Sequence, residues 1–231
     1  CRNSIQTLPE AINSNMTNKL KTIPADDSAG VGADGHVLIR DITDENNPEV
    51  LVNKRNAIHF GNFAKHVAYA LSGKPYFNIH YMAFGNGGSA VNSSGTIAYK
   101  QPNVSDLPDL INPTSRLHNY QYHKVVNNLS TSVGISTENK IEVIPSGRSH
   151  TDIKITCTLS YGEPNTQSAF DNGDVDGDFV FDELALFSLD PATGNEDYAN
   201  SYMLTHVIFH PIQKSQNRRI EVVYTLRIQM L

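Results

Sequence analysis

The chain has 231 residues, of which 39% are hydrophobic and only 18% charged, and its formal net charge is −6. Enough apolar residues are present to exclude a disordered chain, and the acidic balance with scattered Lys and Arg excludes a general nucleic-acid binder, whose affinity comes from clustered cations. No apolar run approaches the roughly 18 residues of a membrane span, and the opening CRNSIQTLPE lacks the apolar centre of a secretion signal. The expectation is a protein made in the cytoplasm, without a membrane partner.

Residues 1–35 show little overall periodicity and include PADDSAGVGADG, a run of turn and linker residues, so they are read as an extended N-terminal arm. Residues 36–231 are read as one β domain. It begins with HVLIRD (His36–Asp41) and EVLVNK (Glu49–Lys54), two β runs joined by the turn formers of ITDENNP. Phe60, Phe63, Ala64, Val67, Ala68 and Leu71 then recur at helical spacing, and Gly73 and Pro75 end the pattern. This is the one short helix expected, with its apolar stripe packed on a sheet.

Alternation returns in FNIHYMAF (Phe77–Phe84) and stops at Gly85-Asn86-Gly87-Gly88, read as a turn needing positive φ because no P-loop Lys-Ser/Thr follows. Residues 89–130 are rich in Asn, Pro and Tyr and form a long excursion, the kind of segment that meets a partner. KIEVI (Lys140–Ile144) and DIKITCTLSY (Asp152–Tyr161) restore the sheet, and Cys157 falls on the apolar side as a free buried thiol. Three β runs between Phe179 and Met230 complete a mainly β fold: an antiparallel β-sandwich, jelly-roll-like, with one short helix and the arm.

Two clusters invite a chemical reading. Asn172, Asp174, Asp176, Asp178 and Glu183 stand at positions 1, 3, 5, 7 and 12 of a calcium-loop spacing, with Gly177 at position 6. Against it, position 1 is Asn and no helices flank the loop, so an acidic turn entering a strand is favoured and calcium is the only cofactor considered. Asp182 and Glu183 are adjacent on a strand and are expected on opposite faces, which rules out a glycosidase pair. No H-E-x-x-H, G-x-S-x-G or C-x-x-C is present, and a non-enzymatic role is expected.

EVLVNKRNAIHFGNFAKHVAYAL (Glu49–Leu71), YMAFGNGGS (Tyr81–Ser89), FDELALF (Phe181–Phe187) and LTHVIFHPIQKSQNRR (Leu204–Arg219) together resemble a family of virion structural proteins of contractile-tailed bacteriophages. The resemblance spans the chain after the arm and implies a subunit present in many copies. It implies as partners copies of itself and other virion proteins, as location the virion, and as place a neck, collar or head-to-tail connector ring. Baseplate or tail-fibre attachment and capsid decoration are alternatives. A more distant alternative is a carbohydrate- or receptor-binding sandwich using Tyr99, Tyr120 and Tyr122 with the acidic loop at 171–178. The residues expected at subunit interfaces are Asn86, Tyr120 and Tyr122 and the basic group Lys214, Arg218 and Arg219, read as a solvated loop.

Overall fold

The computed structural model describes residues 30–104, 115–126, 138–145, 147, 149–164 and 179–230. Its elements are β1 (Val31–Asp41), β2 (Glu49–Arg55), β3 (Ala57–Ile58), α1 (Phe60–Leu71), β4 (Tyr81–Gly85), β5 (Ser89–Val91), β6 (Ile97–Tyr99), β7 (Tyr120–Val125), β8 (Asn139–Pro145), β9 (His150–Leu159), β10 (Phe179–Phe187), β11 (Thr205–Lys214) and β12 (Ile220–Met230). Two five-stranded sheets, ordered β2-β1-β12-β9-β8 and β3-β11-β10-β4-β7, face one another, and β5 and β6 pair separately. The pairings are antiparallel, and the fold is the expected mainly β sandwich with a single helix among the described residues.

One core cluster joins the sheets. Val37, Ile39, Ile155, Cys157, Leu159, Val222 and Tyr224 of the first meet Met82, Phe84, Phe179, Phe181, Leu184, Leu186, Val207 and Phe209 of the second. In β12 and β9 these are the alternating residues that the sequence placed on one face. Each large side chain buried this way contributes about 1.5–3 kcal/mol against the entropy of ordering the chain.

The second sheet is buried on both sides. Tyr81, Ala83, Ala185, Phe187 and Met203 form a smaller cluster on its far face with Leu117, Tyr120 and Tyr198, which is why all five residues of β4 are buried. Parts of the 89–130 excursion therefore fold back on this sheet: β7 is its edge strand, and β5 and β6 form a small hairpin. Residues 105–114 and 127–130 of that excursion lie outside the described residues, as do 1–29 of the arm. The strand expected from His36 starts five residues earlier, at Val31, because the small residues Gly32, Ala33 and Gly35 of VGADG pair with β12 in unbroken register.

Helix α1 forms where its spacing predicts, but it is mounted differently. Its buried residues are Asn62 and His66, while Phe60 and Leu71, from the apolar stripe, are 62% and 85% exposed. Polar anchors set this orientation. The Nδ1 atom of His59 accepts the Asn62 N–H at 3.1 Å, capping the helix, and Asn62 Nδ2 donates to the Met203 carbonyl at 3.0 Å. The expectation that the whole stripe packs on a sheet is thereby corrected: hydrogen bonds fix which side of the helix faces inward.

Candidate functional site: a carboxylate clasp and an uncovered apolar face

The chemistry-bearing residues meet at the far face of the second sheet. The β10/β11 ladder breaks register between Phe181 and Glu183, pairing Phe181 with Ile212 but Glu183 with Ile208. Pro211, which has no N–H to give to a ladder, lies in the irregular stretch. The break has two consequences. It shifts parity along β11, so that Val207 and Phe209 and then Ile212 face the main core. It also sends the adjacent carboxylates Asp182 and Glu183 to the same loop, where strict alternation would have sent them to opposite faces.

Both acids bind the Gly85–Ser89 loop. Asp182 accepts the Gly88 N–H at 2.9 Å and the Ser89 N–H at 2.7 Å. Glu183 Oε1 accepts the Asn119 N–H at 2.8 Å and the Gly87 N–H at 3.1 Å. Its Oε2 accepts the His118 N–H at 2.9 Å and lies 3.0 Å from His206 Nε2. The Asn103 N–H donates to His206 Nδ1 at 2.8 Å, which leaves the ring proton on Nε2, pointing at Glu183. Glu183 and His206 are both fully buried. Burial pushes the Glu183 carboxyl up, but the hydrogen bonds from His206, Asn119 and His118 outweigh it and hold the group below the usual carboxylate range.

The glycines are required by this clasp. A Cβ on Gly85 would come within 2.5 Å of Glu183 Oε1 and of the Asn119 carbonyl, and one on Gly87 within 2.7 Å of the Asn119 backbone nitrogen. Among the described residues the glycines with positive φ are Gly73, Gly95, Gly162 and Gly194. The expectation of a positive-φ turn at 85–88 is thus corrected: these glycines let the backbone approach a carboxylate.

His118, Glu183 and His206 place ligand-type atoms within 4.8 Å of one another. As a metal set they fit poorly, because four N–H donors already occupy the two Glu183 oxygens and both His206 nitrogens are engaged. The same four donors bear on the calcium-loop reading, in which Glu183 supplies the twelfth-position ligand and would have to abandon them. Asn172, Asp174, Asp176 and Asp178 lie outside the described residues.

The residues expected at interfaces are engaged within the chain. Asn86 Oδ1 accepts from Asn119 Nδ2 at 2.7 Å and from Gln121 Nε2 at 3.2 Å. Tyr120 stacks on Tyr198 with ring centroids 4.1 Å apart, and Tyr122 donates to Glu163 Oε1 at 2.9 Å. Arg218 pairs with Asp41 at 2.7 Å, and Arg219 with Glu138 at 2.9 Å and with Glu45. Lys214 is no solvated loop residue. It ends β11, fully buried, donates to the Ser215 carbonyl at 3.0 Å, and burial lowers its pKa to about 8. The parity shift at the β11 irregularity turns it inward, a change that alternation counted from residue 205 does not anticipate.

The second feature is apolar. The main core takes β12 residues Ile220, Val222 and Tyr224, whereas Leu226 and Ile228, next on the same face, line an open groove of about 410 Å³ with Val143 and Ile153 on one wall and Phe63, Val67 and Ala70 of α1 on the other. His66, 5% exposed, also lines it, and its Nε2 has no hydrogen-bond partner among the described residues. Beside the groove, Phe60, Ala64, Ala68 and Leu71 continue the apolar side of α1 into solvent. The alternation of β12 and the spacing of α1 are both legible in the sequence; that the first sheet outruns its cover is not.

Comparison of the chain with protein-family models, with curated proteins and with solved structures gives no match.

Proposed function

We propose that the chain is a non-enzymatic structural subunit of a tailed-phage particle, present in many copies, with a neck or collar ring as its place. One observation carries this reading: α1 and the overhanging end of the first sheet leave a broad apolar surface uncovered, with Phe60 62% and Leu71 85% exposed. Exposed apolar area of this kind, flanked by polar surface, is the mark of a protein–protein contact. The polar groups support the same reading from the other side. Asp182, Glu183 and His206 hold backbone in place, and four donors on one carboxylate leave it no lone pair for proton transfer.

The stretches on which the phage resemblance rests also build this scaffold. Gly85, Gly87 and Gly88 come from YMAFGNGGS, Asp182 and Glu183 from FDELALF, and His206 from LTHVIFH, and they meet in one clasp. The resemblance therefore concerns how the subunit is held together. In the sugar-binding alternative all three tyrosines make intrachain contacts: Tyr99 with His210, Tyr120 with Tyr198 and Tyr122 with Glu163. The test is to label the chain in purified particles and image them: a ring of label at the neck is expected. Label at the baseplate or capsid would move the subunit within the particle, and its absence from particles would overturn the proposal.

A further inference from the structure

The uncovered surface has a shape and a spacing that specify an occupant. Along α1, Phe60, Ala64, Val67 and Leu71 follow steps of four, three and four residues, the seam by which one helix receives another. Next to that seam the groove offers aliphatic walls from Val143, Ile153 and Ile228, and one buried acceptor, His66 Nε2, has no donor among the described residues. A fitting partner is an amphipathic helix with aliphatic residues on one side and an N–H or O–H donor beside them. A flat apolar sheet or a charged segment would leave the acceptor or the groove unfilled.

The chain's own sequence contains such a segment ahead of β1. Leu8, Ile12, Met16, Leu20 and Ile23 recur at steps of four and three residues, a helical stripe within an arm that has little periodicity taken whole. Thr7 and Glu10 stand in the S/T-x-x-E relation that starts helices, Pro9 falls in the first turn, and Pro24 stops the pattern. Asn13, Asn15, Thr17 and Asn18 supply donors. Residues 24–30 then give a linker whose full extension is about 25 Å, enough to pass to an adjacent molecule.

We propose that the α1 seam and groove of one copy receive residues 7–23 of a neighbouring copy as an amphipathic helix. The proposal rests on the multi-copy reading and names the contact within it. Each subunit would then give one helix and receive one, a head-to-tail relation that closes into a ring when the rotation between subunits allows it.

The test uses the full chain with a photo-crosslinking residue at position 68, exposed beside the seam, in a mixture of isotopically light and heavy copies. Cross-links from position 68 to peptides within 7–23 of the other isotope are expected. They should fall at least tenfold in Leu71→Asp/Ala64→Asp and in Ile12→Asp/Met16→Asp. Because Leu71 and Ala64 are exposed, the first variant tests docking without touching the core, and circular dichroism verifies its fold. Mixing the two variants leaves one intact seam and one intact segment, and should restore cross-linking in a single direction. Oligomers that persist with no cross-link to 7–23 would overturn this contact while leaving multi-copy assembly standing. Cross-links confined to one isotope, or capture of the segment at an unrelated surface, would overturn it as well.

Discussion

Replacing Glu183 by Gln probes the clasp with almost no change in shape. The carboxylate accepts four hydrogen bonds, two per oxygen, from Asn119, Gly87, His118 and His206. An amide keeps one acceptor oxygen and turns an NH₂ group toward two of those donors, so two bonds are lost and two buried donors face a third. At about 1.5–3 kcal/mol for each bond to a charged group, the expected loss is about 3–6 kcal/mol, a large share of the roughly 5–15 kcal/mol that holds a typical domain. Urea unfolding followed by circular dichroism measures it. The pH dependence supplies a second readout. The folded pKa of Glu183 lies below its unfolded value, so its stabilisation is present above the unfolded pKa and lost as pH falls through the folded one. The Gln variant should lack that part of the acid loss. A destabilisation under about 1 kcal/mol, with the acid limb unchanged, would refute the claim that this carboxylate holds the loop.

Three further outcomes follow from the same contacts. Lys214 is buried with a pKa lowered to about 8 from 10.5, so the unfolded chain binds its proton more tightly and stability should rise between pH 8 and 10.5; Lys214→Met should remove that rise and stabilise the protein at pH 7 by about 2–3 kcal/mol, read by denaturant titration at both pH values. Gly87→Ala puts a Cβ within 2.7 Å of the Asn119 backbone nitrogen and should cost about 1–3 kcal/mol in the same assay. Burial pushes the Cys157 thiol up to about 12; in a Cys1→Ser background it should resist a thiol reagent at pH 8 until denaturant unfolds the sandwich, and rapid labelling of the native protein would contradict its place in the core.

The parts of this fold legible in the sequence are those governed by a single period. Alternation in β9 and β12 placed Ile155, Cys157, Val222 and Tyr224 on the core face, where they lie, and the spacing of α1 located the helix. The clasp escaped because it depends on a break in the period. Alternation predicts that Asp182 and Glu183 diverge, and only the register shift opposite Ile208–Ile212 brings both to one loop. Pro211 was the available signal, since proline inside a strand run marks an edge or an irregularity. The same shift turned Lys214 inward, out of the basic group it forms in sequence with Arg218 and Arg219. The orientation of α1 was hidden for a different reason: apolar spacing says which side of a helix prefers cover, while the bonds from His59 to Ser115 and from Asn62 to the Met203 carbonyl decide which side receives it.

The structural role proposed above rests on two observations: Asp182, Glu183 and His206 hold the chain's own backbone and each other, and Phe60 and Leu71 leave apolar surface exposed. The most direct test is to image purified particles carrying this chain with a bound label. The account predicts several copies arranged as a ring at one level of the particle, the neck being the expected level. A chain missing from purified particles, or present as a single unassociated copy, would contradict it.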